Sequence, residues 1–183
     1  MIEVRWHGRG GQGAVTSVEL LAQAAIGVGK YAQGFPSFGP ERRGAPVAAF
    51  SRINDKKIKV RSGIYKPDVV VVLDSSLIGL IDVIDGLKPE GKLIVNTPKT
   101  PEEIRKVLKF DGEISTVDGT HIAREEMGVP IANTTMIGAL LRITGVMELD
   151  AVKGAVEHRF GKIAQKNLKA MRRAYEEIKI SKN

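Results

Sequence analysis

The chain has 183 residues, of which 43% are apolar, 27% charged and only 5% aromatic, so Val, Ile, Leu and Ala must supply the core of what reads as a single domain spanning residues 1–183. It contains no cysteine, which excludes disulfides and thiolate-held zinc or iron–sulfur clusters within this chain, and its three scattered histidines make a structural metal site a poor expectation. The net charge of +7 is concentrated: residues 153–183 hold nine Lys/Arg against three acids, whereas residues 1–152 are close to neutral.

The basic C-terminal segment reads first as a solvated helix face and second as a docking surface for an acidic partner. Nucleic acid is disfavoured, because a single-strand binder interleaves aromatics with its charges and this segment offers only Phe160 and Tyr175. No apolar run approaches membrane-spanning length and the N-terminal residues show no apolar signal region, so a cytoplasmic protein without a membrane partner is expected.

Residues 2–7 alternate Ile2, Val4 and Trp6 against Glu3, Arg5 and His7, a strand with one drier face. His7-Gly8-Arg9-Gly10-Gly11-Gln12-Gly13 follows, with Gly8, Gly10 and Gly13 at G-x-G-x-x-G spacing. Residues 14–28 then show helical periodicity, ending at Gly27 and Gly29. Residues 30–46 carry three prolines and three glycines together with Tyr31, Phe35 and Phe38, an ordered functional loop with no long regular element. Residues 47–53 and 58–60 flank Asn54-Asp55-Lys56-Lys57 as a hairpin.

Residues 68–73 (DVVVVL) read as a central strand covered on both faces, and Asp74 as the cap of a helix over 77–84. A strand over 92–96, a helix opened by Pro101 and reaching 108, a strand over 113–117 and a helix near 122–127 complete the α/β part. Asn133-Thr134-Thr135 reads as a helix cap, and the run that follows stops at Gly145. Asp150 is placed to cap the first of two C-terminal helices. The order predicts a three-layer α/β/α fold with a mostly parallel, mixed sheet, an antiparallel hairpin addition and C-terminal helices covering one face.

Glycine in a strand–turn–helix context permits φ > 0 and lets an anion approach backbone N–H groups at the positive end of the following helix. The stretch therefore reads as a phosphate cradle, with a plain packing turn as the alternative. A dinucleotide fold requires an acid about 20 residues on to hold the ribose hydroxyls. Residues 30–34 contain none, which disfavours a nicotinamide cofactor. Glu41-Arg42-Arg43-Gly44 is the second cationic feature, since adjacent guanidinium forks suit phosphate or carboxylate. No nucleophile elbow, Walker lysine or paired carboxylates are legible, so the chain reads as a binding element without catalytic residues of its own.

The run HGRGGQGAVTSVELLA (7–22) with YAQGFPSFGPERRGAPV (31–47), and less specifically VRSGIYKPD (60–68) and NTTMIGAL (133–140), resembles the gamma subunits of the 2-oxoacid:ferredoxin oxidoreductase family, those of pyruvate:ferredoxin oxidoreductase (pyruvate synthase) above all. The branched-chain 2-oxoacid enzymes share both N-terminal motifs; the 2-oxoglutarate enzymes differ in the arginine loop and rank lower. The resemblance implies a part in a multi-subunit oxidoreductase that converts pyruvate, coenzyme A and oxidised ferredoxin to acetyl-CoA, carbon dioxide and reduced ferredoxin.

Its partners would be alpha, beta and delta subunits, with ferredoxin as electron acceptor. Thiamine diphosphate, Mg2+ and the iron–sulfur clusters would lie in those partner subunits only, in keeping with the missing cysteines. Carried over by motif, Gly8, Arg9, Gly10, Gly11, Gln12 and Gly13 would line the phosphates of coenzyme A, with Arg42 and Arg43 as their cationic partners. From another class, a free-standing nucleotide-binding protein stays open as the alternative.

Overall fold

The computed structural model describes residues 1–37 and 44–181. The elements run β1 (Ile2–Arg9), α1 (Ala14–Gly27), β2 (Tyr31–Pro36), β3 (Pro46–Asn54), β4 (Val69–Val72), β5 (Lys92–Asn96), α2 (Pro101–Leu108), β6 (Glu113–Val117), α3 (Gly119–Met127), α4 (Asn133–Thr144), α5 (Lys153–Phe160), α6 (Ala164–Glu177) and β7 (Lys179–Ile180). All seven strands belong to one mixed sheet of order β2-β3-β1-β4-β5-β6-β7. The central β1-β4-β5-β6 ladder is parallel, and β2, β3 and β7 are antiparallel additions at its edges.

Alternation along the strands sorts the core into two layers. Val69, Val71 and Ile94 face α1, α4, α5 and α6, where Leu21, Ile137, Leu140, Val156 and Met171 are buried. Val70, Val72, Leu93 and Val95 face the thinner layer of α2 and the 74–88 segment, anchored by Leu77, Val83 and Ile104. This is the expected three-layer α/β/α arrangement, with unequal layers. Among the described residues no helix is long and apolar enough to cross a membrane.

Four of the expected elements and caps differ from the structure here, most of them through contacts distant in sequence. Residues 31–36 form a strand rather than loop, because Gly34 lets β2 lie against α1; a Cβ there would stand 2.7 Å from the Val18 carbonyl oxygen. The hairpin partner of β3 is therefore β2, which precedes it, and residues 58–60 belong to no strand. The helix expected over 77–84 is a 3₁₀ turn at Ser75–Leu77, ended by Gly79 at φ 90° and a sequence of turns. Asp150 does not cap α5; its carboxylate pairs with Arg172 at 3.0 Å.

Strand β1 departs from one-face alternation in a way that matters for pH. Arg5 and His7 are as buried as Val4 on the opposite side, lying beneath the 74–88 segment, where Arg5 Nη2 donates to the Val83 carbonyl at 3.2 Å. Burial, reinforced by the Arg5 guanidinium, lowers His7 from 6.5 to about 4, although the Val83 carbonyl and Asp82 pull the other way. The unfolded chain takes its proton near pH 6.5 and the folded chain near 4, so stability falls as pH drops through that window.

A shift of this size corresponds to ~3 kcal/mol. Urea midpoints between pH 7.5 and 4.5 are expected to fall more steeply in the wild type than in His7→Gln. Parallel curves would show that His7 does not set this dependence.

Candidate functional site

The glycine turn leaves β1 at the carboxyl edge of the parallel strands, where α/β folds gather their ligands. Gly10 N–H donates to the Ala45 carbonyl at 2.9 Å, Gly44 N–H to Gly10 O at 3.0 Å, and Gln12 N–H to Arg9 O at 2.9 Å. Gly11 and Gly13 sit at φ 95° and 80°, in the left-handed region that L side chains rarely adopt. Gly13 is also the N-cap of α1, which has neither a side-chain cap nor an acid in its first turn. The amide donors at the start of α1 thus face outward without an internal anion.

Arg9 and Gln12 turn inward as ties. The Gln12 amide accepts from Arg9 N–H at 2.7 Å and donates to Asp74 Oδ2 at 2.8 Å. Arg9 pairs with the same Asp74 oxygen at 3.2 Å, and donates to Gly44 O at 3.0 Å and Ser76 Oγ at 2.9 Å. Partial burial opposes ionisation of Asp74. Hydrogen bonds from Ser76 and Gln12, with the Arg9 charge, outweigh it and hold the carboxyl below its ordinary value. Arg9 is thus neutralised within the fold, and its geometric effect is to fasten Gly44 and the β4 loop to the turn.

A polar cleft of about 460 Å³ opens where the parallel strands end. Gly11 and Gln12 come from the turn, Asp74 and Ser75 from the end of β4, Asn96 and Thr97 from β5, Asp118 and Thr120 from β6, and Asn133 from α4. Asn96 knits this edge: its Nδ2 donates to Leu73 O and Thr120 Oγ1, both at 2.8 Å, while its Oδ1 accepts from Thr120 N–H at 3.1 Å. Asp118 caps α3 through the His121 N–H at 2.9 Å.

Asn133, Thr134 and Thr135 do not cap α4, as expected from sequence; they form its first turn behind Ala132, with no side-chain cap bond. Two uncapped helix N-termini therefore meet at the turn, because α4 approaches α1 closely. Ser17 Oγ donates to the carbonyls of Gly13 and Asn133, each at 3.2 Å. A Cβ on Gly13 would stand 2.4 Å from Asn133 Nδ2.

Of the residues named from sequence, Gly11, Gln12 and Gly13 line clefts, whereas Gly8, Arg9 and Gly10 belong to the frame behind them. Arg42 and Arg43 lie outside the described residues. Sequence reasoning singled out neither Asn96 nor Thr120, since nothing local marks residues that converge only when strand ends align, and it read Asn133 as a helix cap rather than as lining the cleft.

Comparison with known proteins decides the family. A sequence model described as pyruvate ferredoxin/flavodoxin oxidoreductase matches residues 3–177. The chain belongs to that family. It is 52% identical over 98% of each chain to the pyruvate/ketoisovalerate oxidoreductases common subunit gamma of Thermococcus litoralis, and 48% identical to pyruvate synthase subunit PorC of Thermotoga maritima over 98% of this chain and 95% of that one.

The solved pyruvate oxidoreductase subunit PORC of Thermotoga maritima superposes with a TM-score of 0.89 at 44% identity, covering 99% of this chain and 98% of that one. The 2-oxoglutarate:ferredoxin oxidoreductase of Magnetococcus marinus, solved with 2-oxoglutarate, coenzyme A and succinyl-CoA bound, shares the fold alone. Its TM-score is 0.77 at 21% identity, over 96% of this chain and 30% of that one. The family match extends from β1 to the end of α6, so the glycine turn and both uncapped helices fall within it.

Proposed function

We propose that this chain is the gamma subunit of a pyruvate:ferredoxin oxidoreductase and contributes to binding coenzyme A there. The observation that carries the coenzyme reading is the meeting of two uncapped helix N-termini, α1 and α4, beside a turn where Gly11 has open space around it and Gly13 lets Asn133 of α4 pack close. Relatives named for both pyruvate and ketoisovalerate support a gamma subunit shared between a straight and a branched 2-oxoacid, so the two substrate readings need not compete.

In this mechanism the chain binds and orients. The amides of Gly11 and Gly13 and the first turn of α1 hold phosphate oxygens, fixed in place by the Arg9–Asp74–Gln12 ties behind them. Arg42 and Arg43 supply the countercharge. Coenzyme A, when bound, supplies the thiol that accepts the acyl group. Thiamine diphosphate and iron–sulfur clusters would belong to the alpha, beta and delta partners; for the clusters this agrees with the absence of any cysteine thiolate in this chain.

Native mass spectrometry of the protein purified from its own cells tests the assembly. The chain is expected within a complex whose other chains carry thiamine diphosphate and iron–sulfur clusters. Recovery as a lone monomer would overturn the proposal.

A further inference from the structure

The positive excess of the sequence lies at its C-terminal end, but the fold takes up much of that charge internally. Lys153 pairs with Glu157, Lys169 with Glu126, Arg172 with Asp150, and Arg173 with Glu125, Glu126 and Glu177. Arg159, Lys162 and Lys166 have no carboxylate partner among the described residues, and they are spread from α5 to α6.

A denser run of unpaired charge lies elsewhere. Residues 56–66 (KKIKVRSGIYK) hold Lys56, Lys57, Lys59, Arg61 and Lys66 and no acid. All five cations are exposed, and none is paired with a carboxylate among the described residues. The neighbouring acids are already engaged, Asp55 by Lys30, Glu3 by Arg52 and Asp68 by Lys88.

The segment forms neither helix nor strand, yet it is fastened along its length. Asn54 Nδ2 donates to Lys56 O at 2.9 Å, Gln33 Nε2 to Val60 O at 3.1 Å, and Arg52 Nη2 to Gly63 O at 3.2 Å. Ile64 is buried, and Lys88 N–H donates to Pro67 O at 3.2 Å. A Cβ on Gly86 would stand 2.1 Å from Tyr65 O, so the backbone at Tyr65 packs tightly on the 74–88 segment. On this fixed frame Tyr65 is 77% exposed and Val60 43%. One side of the Tyr65 ring lies over Gly63, where a Cβ would meet Cζ at 3.5 Å and Oη at 3.6 Å.

We propose that residues 56–66 form a docking surface for an acidic segment of a neighbouring subunit in the assembled oxidoreductase. Tyr65 and Val60 make the apolar centre of the contact, and Lys56, Lys57, Lys59 and Arg61 its cationic rim. The inference rests on reading the chain as one subunit of a complex, and it assigns the face that meets a partner. Like charges held along a fixed backbone repel one another, and partner carboxylates relieve that repulsion. Because the frame is fastened before the partner arrives, docking loses little conformational entropy. A single-stranded nucleic acid takes successive aromatics to stack on, and this segment has Tyr65 alone.

The test uses the complex purified from its own cells through a tag on this chain. A carbodiimide joins an amine directly to a carboxylate in contact with it. Peptide mass spectrometry is expected to find Lys56, Lys57 or Lys59 linked to an aspartate or glutamate of another subunit. Lys56→Glu with Lys57→Glu and Lys59→Glu should cut recovery of the complex about ten-fold at physiological ionic strength. Arginine at the same three positions should retain it, and Tyr65→Ala should weaken it. Lys106→Glu with Lys162→Glu and Lys166→Glu, the same charge change at other exposed positions, should leave recovery unchanged. The unfolding midpoint of the first triple variant should not fall, since it relieves repulsion, so a lost complex reports docking rather than misfolding.

A wild-type chain found in no complex would sink the gamma-subunit reading and this inference together. A complex that survives the triple reversal, with these lysines unlinked, would overturn the inference and leave that reading intact. Equal loss from both triple variants would assign the effect to net charge and overturn it as well. Nucleic acid carried by the wild-type chain and released by the reversal would overturn it in favour of a nucleic-acid site.

Discussion

Alanine at Gly138 is expected to destabilise the protein by about 3 kcal/mol, the upper end of what overpacking a core costs. Gly138 lies midway along α4, where a Cβ would stand 1.9 Å from the Met171 carbonyl oxygen of α6 and 2.7 Å from its carbon. The obstructing atoms are backbone, so no rotamer change relieves the contact and the two helices must separate. Neither has slack: ten of the twelve residues of α4 are buried, and Ala170, Met171 and Ala174 of α6 pack in the same core.

The displacement would also move Asn133 at the head of α4, so coenzyme affinity is expected to fall along with stability. Urea denaturation checks this against Gly154→Ala, an open helical position with nothing within 4 Å of a Cβ. That control should gain roughly 0.5–1 kcal/mol from helix propensity. A Gly138→Ala variant as stable as the wild type would show that α4 and α6 can part freely.

What could be read from the sequence follows how local each determinant is. Strands β5 and β6 and helix α2 fall on their expected residues, because apolar runs and a proline at the first helical position act over a few neighbours. Helix α2 adds a capping box, with Thr100 Oγ1 accepting from Glu103 N–H at 3.3 Å and Glu103 accepting from Thr100 N–H at 2.7 Å. The errors lie where distant chain decides.

Strand β2 contains Gly34 and Pro36, which break a regular pattern on paper. Both suit an edge strand, one approaching a helix closely and the other ending the ladder. Segment 77–84 has the apolar content of a helix, yet Leu77 and Val83 act as separate anchors over the sheet and Gly79 takes a positive φ between them. The site divides in the same way. The spacing of the glycines is compact and therefore legible, whereas Asn96 and Asn133 are ordinary residues that come together only where β5 ends and α4 begins.

Arg9 carries a related lesson, since its charge pointed to phosphate while its neighbours decide otherwise. Asp74, Ser76 and Gly44 take up its donors, so the cradle itself holds no uncompensated cation from the turn. That shifts the electrostatic demand of a coenzyme diphosphate onto other residues. The described chain on either side of Arg42 and Arg43 returns to the same edge: Ser37 N–H donates to Ala48 O at 2.8 Å, and Gly44 N–H to Gly10 O at 3.0 Å.

In the assembled enzyme, Arg42→Ala and Arg43→Ala are each expected to raise the KM for coenzyme A. A lost charge-assisted contact costs roughly 1.5–3 kcal/mol where it is desolvated, which is about ten-fold or more in affinity. Contacts made equally in the ground and transition states appear in KM with little change in kcat at saturating coenzyme, so the split between the two separates binding from misassembly. Lysine at either position should recover part of the affinity, because charge survives while the paired donor geometry does not. An unchanged coenzyme KM in the double alanine variant would remove these arginines from the site and leave the helix N-termini alone to hold the diphosphate.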